Sequence, residues 1–450
     1  MWTSFILRRA RLEGMVPSRP AIRILFLVVL AIGAYLPATQ LPFIADDYHQ
    51  IPIARADALA GWQPLWHDTL LRTRFTYMFL SATLDRAFGF EPMPFYVASI
   101  ALHVMCVLML YAIAVWRAIP LGVAFWGAAF FAVQEGHQEA IMWLAASYDL
   151  IVFAFGLAAL VAWVKWLETR HSNWYATSLI AFLISGVSKE TFWVFALLML
   201  AITLWERRKT GLMPALLALS PFLIVSLAYI IFMWTRVANG GQQVDHRFAL
   251  SGMWVTVFVR GLWDLLFPFG LTSIAILLWA RRRGDRWLIG FALLWIVLGI
   301  APHSFLTYMP RLASRHTYLA SGGLAILFGV AMVRLSKHIP SRLFRSIILF
   351  VLAVNLEIIW VKKVAQFKER AEPTELLKAA VMQASGPITV DCTPVPDVVV
   401  TDALKSFGSE AILRKQGLQN DHCFAIEYKD RYGAVIRVNR RIGRPHGTFY

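Results

Sequence analysis

The sequence predicts an all-α polytopic membrane protein with a small α+β domain at its C-terminal end, and three observations predict it. Apolar residues fill 58% of the 450 positions and charged ones 16%, with a mean hydropathy of +0.59; soluble domains run at roughly 45–50% apolar and about a quarter charged. The apolar excess collects in about eleven blocks, most of them near the length of about 20 residues that crosses a hydrocarbon core about 30 Å thick. Basic residues gather in every second gap between those blocks, as the positive-inside rule demands.

The blocks run at about 22–43, 94–116, 119–134, 149–167, 174–188, 191–205, 212–234, 263–280, 287–302, 317–333 and 345–361. Without water to satisfy backbone groups, each crossing segment has to be a helix. Those at 119–134 and 174–188 are short, so the number of crossings is about eleven. Arg8, Arg9 and Arg11 precede the first block in the manner of a signal peptide. No small-residue cleavage site follows it, so it reads as a retained first helix.

Orientation comes from the cations. Arg8–Arg11, Arg117, Lys165 with Arg170, Arg207–Lys209, Arg281–Arg283 with Arg286, and Arg334–Arg345 mark one side. That side is cytoplasmic, which puts the N-terminus inside and, after eleven crossings, the C-terminus outside. The net charge of +16 therefore reports topology; no basic-aromatic stripe or nucleic-acid motif competes with that reading. The opposite loops hold Asp46, Asp47, Asp57, Asp68, Asp85, Glu91, Glu135, Glu139, Asp149, Glu190 and Asp245. Insertion hardly uses negative charge, so this enrichment marks a chemical face.

Residues 1–361 thus form a transmembrane domain that includes a long first outer loop, 44–93, and 362–450 form a small extracytoplasmic domain. Amphipathic stretches at Trp62–Leu71 and Met253–Leu262 suit helices lying in the interface. Strand-like runs follow at Ile388–Val390, Asp397–Val400, Phe424–Tyr428 and Ala434–Val438, the last two reading as a hairpin. Cys106 lies within a span as a small buried apolar residue. Cys392 and Cys423 share the extracytoplasmic domain, where an oxidising compartment favours a disulfide between them.

Four polar interruptions are candidates for chemistry. Asp46–Asp47 follow the first helix; two adjacent carboxylates suit a general base or a hard-oxygen metal site, and they also read as a solvated helix end. Glu135, His137 and Glu139 cluster in Gln134–Trp143, either to bind a polar substrate or as a polar turn. Ser188-Lys189-Glu190 breaks an apolar run, as an ionisable site or as an outer turn. Arg311, Arg315 and His316 gather in the last outer loop with His303. Guanidinium matches phosphate geometry, while lipid headgroups are the other occupant.

The order of these motifs resembles the GT-C superfamily of glycosyltransferases, in particular its protein O-mannosyltransferase-like branch. Asp46–Asp47 match its acidic pair, and Arg74-Phe75, Phe88–Tyr96 and His103 match the first loop and the next helix. Gln134–Trp143 resembles its histidine-rich segment, Ser188–Glu190 its Ser-Lys-Glu, and Arg315–Tyr318 its late Arg-Tyr step. The sequence departs at Gln134-Glu135, Phe75 and Ser147, where the family has His-Pro, proline and commonly arginine.

The resemblance implies a GT-C-like fold and an inverting glycosyltransferase of a bacterial inner (plasma) membrane. Its donor would be a polyprenyl-phosphate sugar and its acceptor a hydroxyl of a protein, lipid or glycan on the outer face, with membrane lipids as the other partner and no nucleic acid. Asp46 or Asp47 would be the base; Arg74, His137, Glu139, Lys189, Glu190, Arg311, Arg315 and His316 would bind substrate. No cofactor is called for, and a divalent metal stays open. The rival reading is a transporter or flippase of lipid-linked saccharides, against which stand the missing inverted repeat and polar residues at helix ends.

Overall fold

The computed structural model describes residue 17, residues 19–44, 46–66, 73–210, 212–238, 253–280, 283–305 and 312–371, and four strands beyond them. Every predicted apolar block is largely helical, although the first ends in coil at 41–43 and the one at 263–280 is broken between two helices. In chain order the helices are α1 (Pro20–Tyr35), α2 (Asp47–Leu59), α3 (Phe75–Phe88), α4 (Pro92–Ala112), α5 (Leu121–Val133), a short α6 (Gln138–Met142), α7 (Tyr148–Thr169), α8 (Ser172–Gly186), α9 (Trp193–Thr210) and α10 (Leu212–Ala238). After them come α11 (Met253–Leu266), α12 (Phe269–Trp279), α13 (Arg286–Ile300), α14 (Ser321–Leu335) and α15 (Ser341–Glu357).

Among the described residues six helical stretches are long and apolar enough to cross a membrane, and α11 with α12 make a seventh if their 75° bend is taken within one span. The helices α5 and α14, of 13 and 15 residues, reach only about 20–22 Å at about 1.5 Å per residue. Helix length thus supports fewer full crossings than the eleven apolar blocks.

The chain divides into two compact units. The first takes residues 1–36, 99–141 and 146–359, and so holds most of the helices. Lipid offers apolar side chains no more than a neighbouring helix does, so close packing decides which helices associate. Glycines mark the closest contact. A Cβ on Gly127 of α5 would stand 2.5 Å from the Ala325 carbonyl oxygen of α14, and one on Gly329 of α14 would stand 2.1 Å from that of Val123. The two backbones touch because neither glycine has a side chain. Large apolar side chains such as Leu25, Val29, Leu217, Ile224, Leu349 and Phe350 face outward, as a lipid-facing surface requires.

The second unit takes residues 37–98, 142–145 and 360–450. Its helices α2 and α3 lie between α1 and α4 in the chain. Arg55 of α2 grips Asp85 of α3 through Nε and Nη2, each 2.6 Å from a carboxylate oxygen. Phe43, Tyr48, Phe90 and Phe95 form an aromatic cluster with ring centroids 4.7–6.0 Å apart. The strands are β1 (Ile388–Val390), β2 (Arg414–Gln416), β3 (Ala425–Lys429) and β4 (Val435–Ile436). They pair antiparallel, with β3 between β1 and β2 and also paired to β4. The predicted β1 and β3–β4 hairpin are present; β2, in a charged stretch without alternation, was not expected. The predicted strand at 397–400 and the Cys392–Cys423 pair lie outside the described residues.

Candidate active site

In the second unit the acidic pair opens α2. Asp46 is the residue before the helix and Asp47 its first, where the helix dipole favours negative charge. The two carboxylates have different surroundings. Asp47 is 0% exposed; its Oδ2 accepts the Ile44 N–H at 3.0 Å and its Oδ1 accepts the Ala145 N–H at 2.7 Å. Burial pushes its pKa up to about 8, with the Asp46 charge adding to the rise and the backbone N–H groups opposing it. Asp46 is half-buried. Tyr96 secures the approach to the pair by donating to the Pro42 carbonyl at 2.8 Å. Arg74 stands at the residue before α3.

The first unit holds the other candidates. Glu135–His137 form a turn of 3₁₀ helix after α5. His137 is buried; its Nε2 lies 2.8 Å from Ser321 Oγ. Ser321 donates its own proton to the Tyr318 carbonyl at 2.5 Å, so His137 is the donor to Ser321. Burial, and then the neighbouring His103, hold the His137 pKa well below its ordinary value. His103 sits 2.8 Å from the Tyr318 hydroxyl and 3.2 Å from the Ala132 carbonyl. A carbonyl only accepts, so Nε2 carries the proton and Tyr318 donates to Nδ1.

Glu139 meets Arg315. The Arg315 N–H lies 3.3 Å and its Nη1 3.6 Å from Glu139 Oε2. The Arg315 side chain as a whole is 12% exposed. Lys189 and Asp149 form an ion pair at 2.5 Å with side chains 1% and 3% exposed. Charges so deeply buried persist because they are paired. Glu190 follows, half-buried, at the start of a 3₁₀ turn. His303 and His316 are buried with ring centroids 4.3 Å apart and planes 31° from parallel.

Within the first unit the fold therefore joins Glu139 to Arg315, His137 to Ser321 and Lys189 to Asp149. Two of these partners, Asp149 and Ser321, were not named as site residues from the sequence. Asp149 stands at the edge of an apolar block among the carboxylates of the chemical face, and Ser321 lies inside the block at 317–333, where no sequence signal singles it out. Arg311 lies outside the described residues. Among the described residues no group of three or more His, Cys, Asp or Glu side chains is arranged to hold a metal ion.

No protein-family model matches the chain, and no curated protein sequence does. Solved structures do match. ArnT from Cupriavidus metallidurans in the apo state superposes with a TM-score of 0.52 at 13% identity, covering 85% of this chain and 84% of that one. Its complex with undecaprenyl phosphate gives 0.49 at 13% identity, with the same coverage of 85% and 84%. The archaeal oligosaccharyltransferase AglB from Archaeoglobus fulgidus, solved with an inhibitory peptide and a dolichol-phosphate, gives 0.50 at 12% identity over 81% of this chain and 58% of that one. The likeness shows that the chain shares its overall fold with apo ArnT and with AglB.

Proposed function

We propose that the protein is a membrane glycosyltransferase that moves a sugar from a polyprenyl-phosphate donor to an acceptor hydroxyl, with inversion, on the extracytoplasmic face. One observation carries the reading: a chain that shares the fold of ArnT has a carboxylate pair at the start of α2, one member buried and amide-bound, the other half-buried. The dolichol-phosphate in the AglB structure supports a lipid-phosphate donor. The acceptor is a hydroxyl of a protein, lipid or glycan.

An inverting displacement makes two demands, a base for the attacking hydroxyl and stabilisation of the departing phosphate. Asp46 answers the first. Both oxygens of Asp47 already receive amide N–H groups and none of its surface is open, so Asp47 holds the turn while Asp46 takes the proton. Arg315 and His316 answer the second, offering donors to the lipid phosphate as its negative charge grows, and Arg311 is assigned with them from the sequence alone. Lys189 acts from its pair with Asp149, and Glu139 acts by orienting Arg315. His137 and Glu190 line the acceptor or sugar, and Arg74 the donor.

The test is sugar transfer by the purified protein in vesicles, with a panel of polyprenyl-phosphate sugars and membrane extract as acceptor. Asp46→Asn is expected to lower turnover by about 100-fold or more, the usual contribution of a general base. Wild-type turnover in that variant would remove Asp46 from the chemistry. A wild type that carries lipid-linked saccharide across the bilayer without transferring sugar would overturn the enzyme reading in favour of a transporter.

A further inference from the structure

The buried face of α15 is apolar except at one residue. Phe344, Ile348, Leu352 and Asn355 make up that face, and Asn355 is 0% exposed. A buried amide in a membrane-crossing helix is costly unless both of its ends are bonded. Both are. The Val351 carbonyl, which can only accept, takes Nδ2 at 2.9 Å. That leaves Oδ1 to accept the Glu135 N–H at 3.2 Å, across 220 positions. Glu135 opens the 3₁₀ turn Glu135–His137, and the first N–H of a helical turn has no partner within it. The residue before it is held as well. Tyr35 of α1, itself 0% exposed, donates its hydroxyl to the Gln134 carbonyl at 2.7 Å. The same carbonyl accepts the His137 N–H at 3.1 Å.

We infer that Asn355 and Tyr35 are positioning residues: they fix the Gln134–Glu135 step, and through it the helical stretch that carries His137 and Glu139. The role rests on the glycosyltransferase reading and deepens it, since neither residue is among the groups assigned to substrate above. The turn Glu135–His137 runs directly into α6, so the direction of its first residue sets the direction of the whole stretch. Glu139 lies four positions on, about 6–8 Å away at about 1.5–2 Å per residue. A tilt of about 10° at Glu135 would move it by about 1 Å, enough to part its Oε2 from the Arg315 N–H at 3.3 Å. Misplacement on that scale slows an enzyme even when no reacting group has changed. Glu139 orients Arg315 toward negative charge that grows only as the phosphate departs. The loss therefore falls on turnover and spares donor binding.

The experiment separates turnover from fold. The full chain in vesicles is assayed for kcat and donor KM with the same donors and acceptor extract, and thermal unfolding is followed in detergent. Asn355→Leu, which keeps the helix and removes the acceptor oxygen, is expected to lower kcat about tenfold with KM within about twofold of wild type. The partner is tested through proline, which has no N–H and is pre-set for the first position of a helical turn. Gln134 already has the extended backbone that suits a following proline, with φ −61° and ψ 119°. In the Glu135→Pro background the N–H is gone, so Asn355→Leu is expected to cost less than about twofold further. The full tenfold loss in that background would overturn the inference. So would wild-type kcat in Asn355→Leu, even with a lower melting temperature, because a purely structural amide changes stability alone. Should Asn355→Leu fail to fold, Tyr35→Phe decides: kcat lowered severalfold at constant KM supports the role, and wild-type kcat overturns it. A wild type that transfers sugar beside variants that all match it removes this inference and leaves the enzyme reading standing. A wild type that transfers none removes both.

Discussion

Asp46 and Asp47 are neighbours with different work, and the difference comes from where each side chain is packed. A carboxyl group titrating near 4 in the unfolded chain and near 8 in the native one makes stability depend on pH with a definite sign. Between those values the native state holds the extra proton, so stability falls as pH rises from about 4 to about 8 and levels off beyond. Asp47→Asn, which stays neutral, should flatten that slope; thermal unfolding in detergent from pH 5 to 9 measures it. Parallel profiles for variant and wild type would mean that Asp47 does not titrate in this range. The sequence singles out the pair, because two carboxylates after an apolar helix are conspicuous. It does not separate them, because the N–H that occupies Asp47 Oδ1 belongs to Ala145, 98 positions away. Lys189 is a similar case. Read by itself it is a cation for phosphate, but its nearest charge is Asp149, 40 positions earlier.

At the scale of elements, two devices stand out. Between α1 and α4, two short helices of 13 and 14 residues are too small to be stable alone; the bidentate Arg55–Asp85 pair joins them, and the aromatic cluster around Phe43 packs on Tyr48 of α2. In the first unit, glycine lets α5 and α14 approach at backbone distance. Gly329→Val would set a Cβ 2.1 Å from the Val123 carbonyl oxygen, and no rotamer change relieves contact with backbone. That variant should lose most of its folded yield, read as monodisperse protein after solubilisation. Gly33 of α1, with nothing within 4 Å of its would-be Cβ, should accept alanine with unchanged or slightly better stability. Equal yields for both variants would show that the α5–α14 contact is looser than described. Helix identity was legible from apolar run length alone. The close-contact role of Gly127 and Gly329 was not, since a glycine in an apolar helix looks the same whether a neighbour touches it or not.

For the molecule as a whole, cation placement argues for a cytoplasmic N-terminus and, with an odd number of crossings, an extracytoplasmic C-terminus. A phosphatase fused after Tyr450 should be active in cells and a fluorescent protein at the same point dark; the reverse pattern would mean an even number of crossings. The sequence by itself determined the membrane class, the helical state of each apolar block, the β3–β4 hairpin, and the acidic pair at a helix start. These follow from local physics: a long apolar stretch in lipid must satisfy its own backbone, and a turn is written within a few residues. Only the tertiary structure decided which polar groups meet. It paired Asp47 with the Ala145 amide, Glu139 with Arg315 across 176 positions, and His303 with His316. Such pairings depend on the packing of helices distant in sequence, where each buried polar group must find a partner among groups that no local pattern specifies.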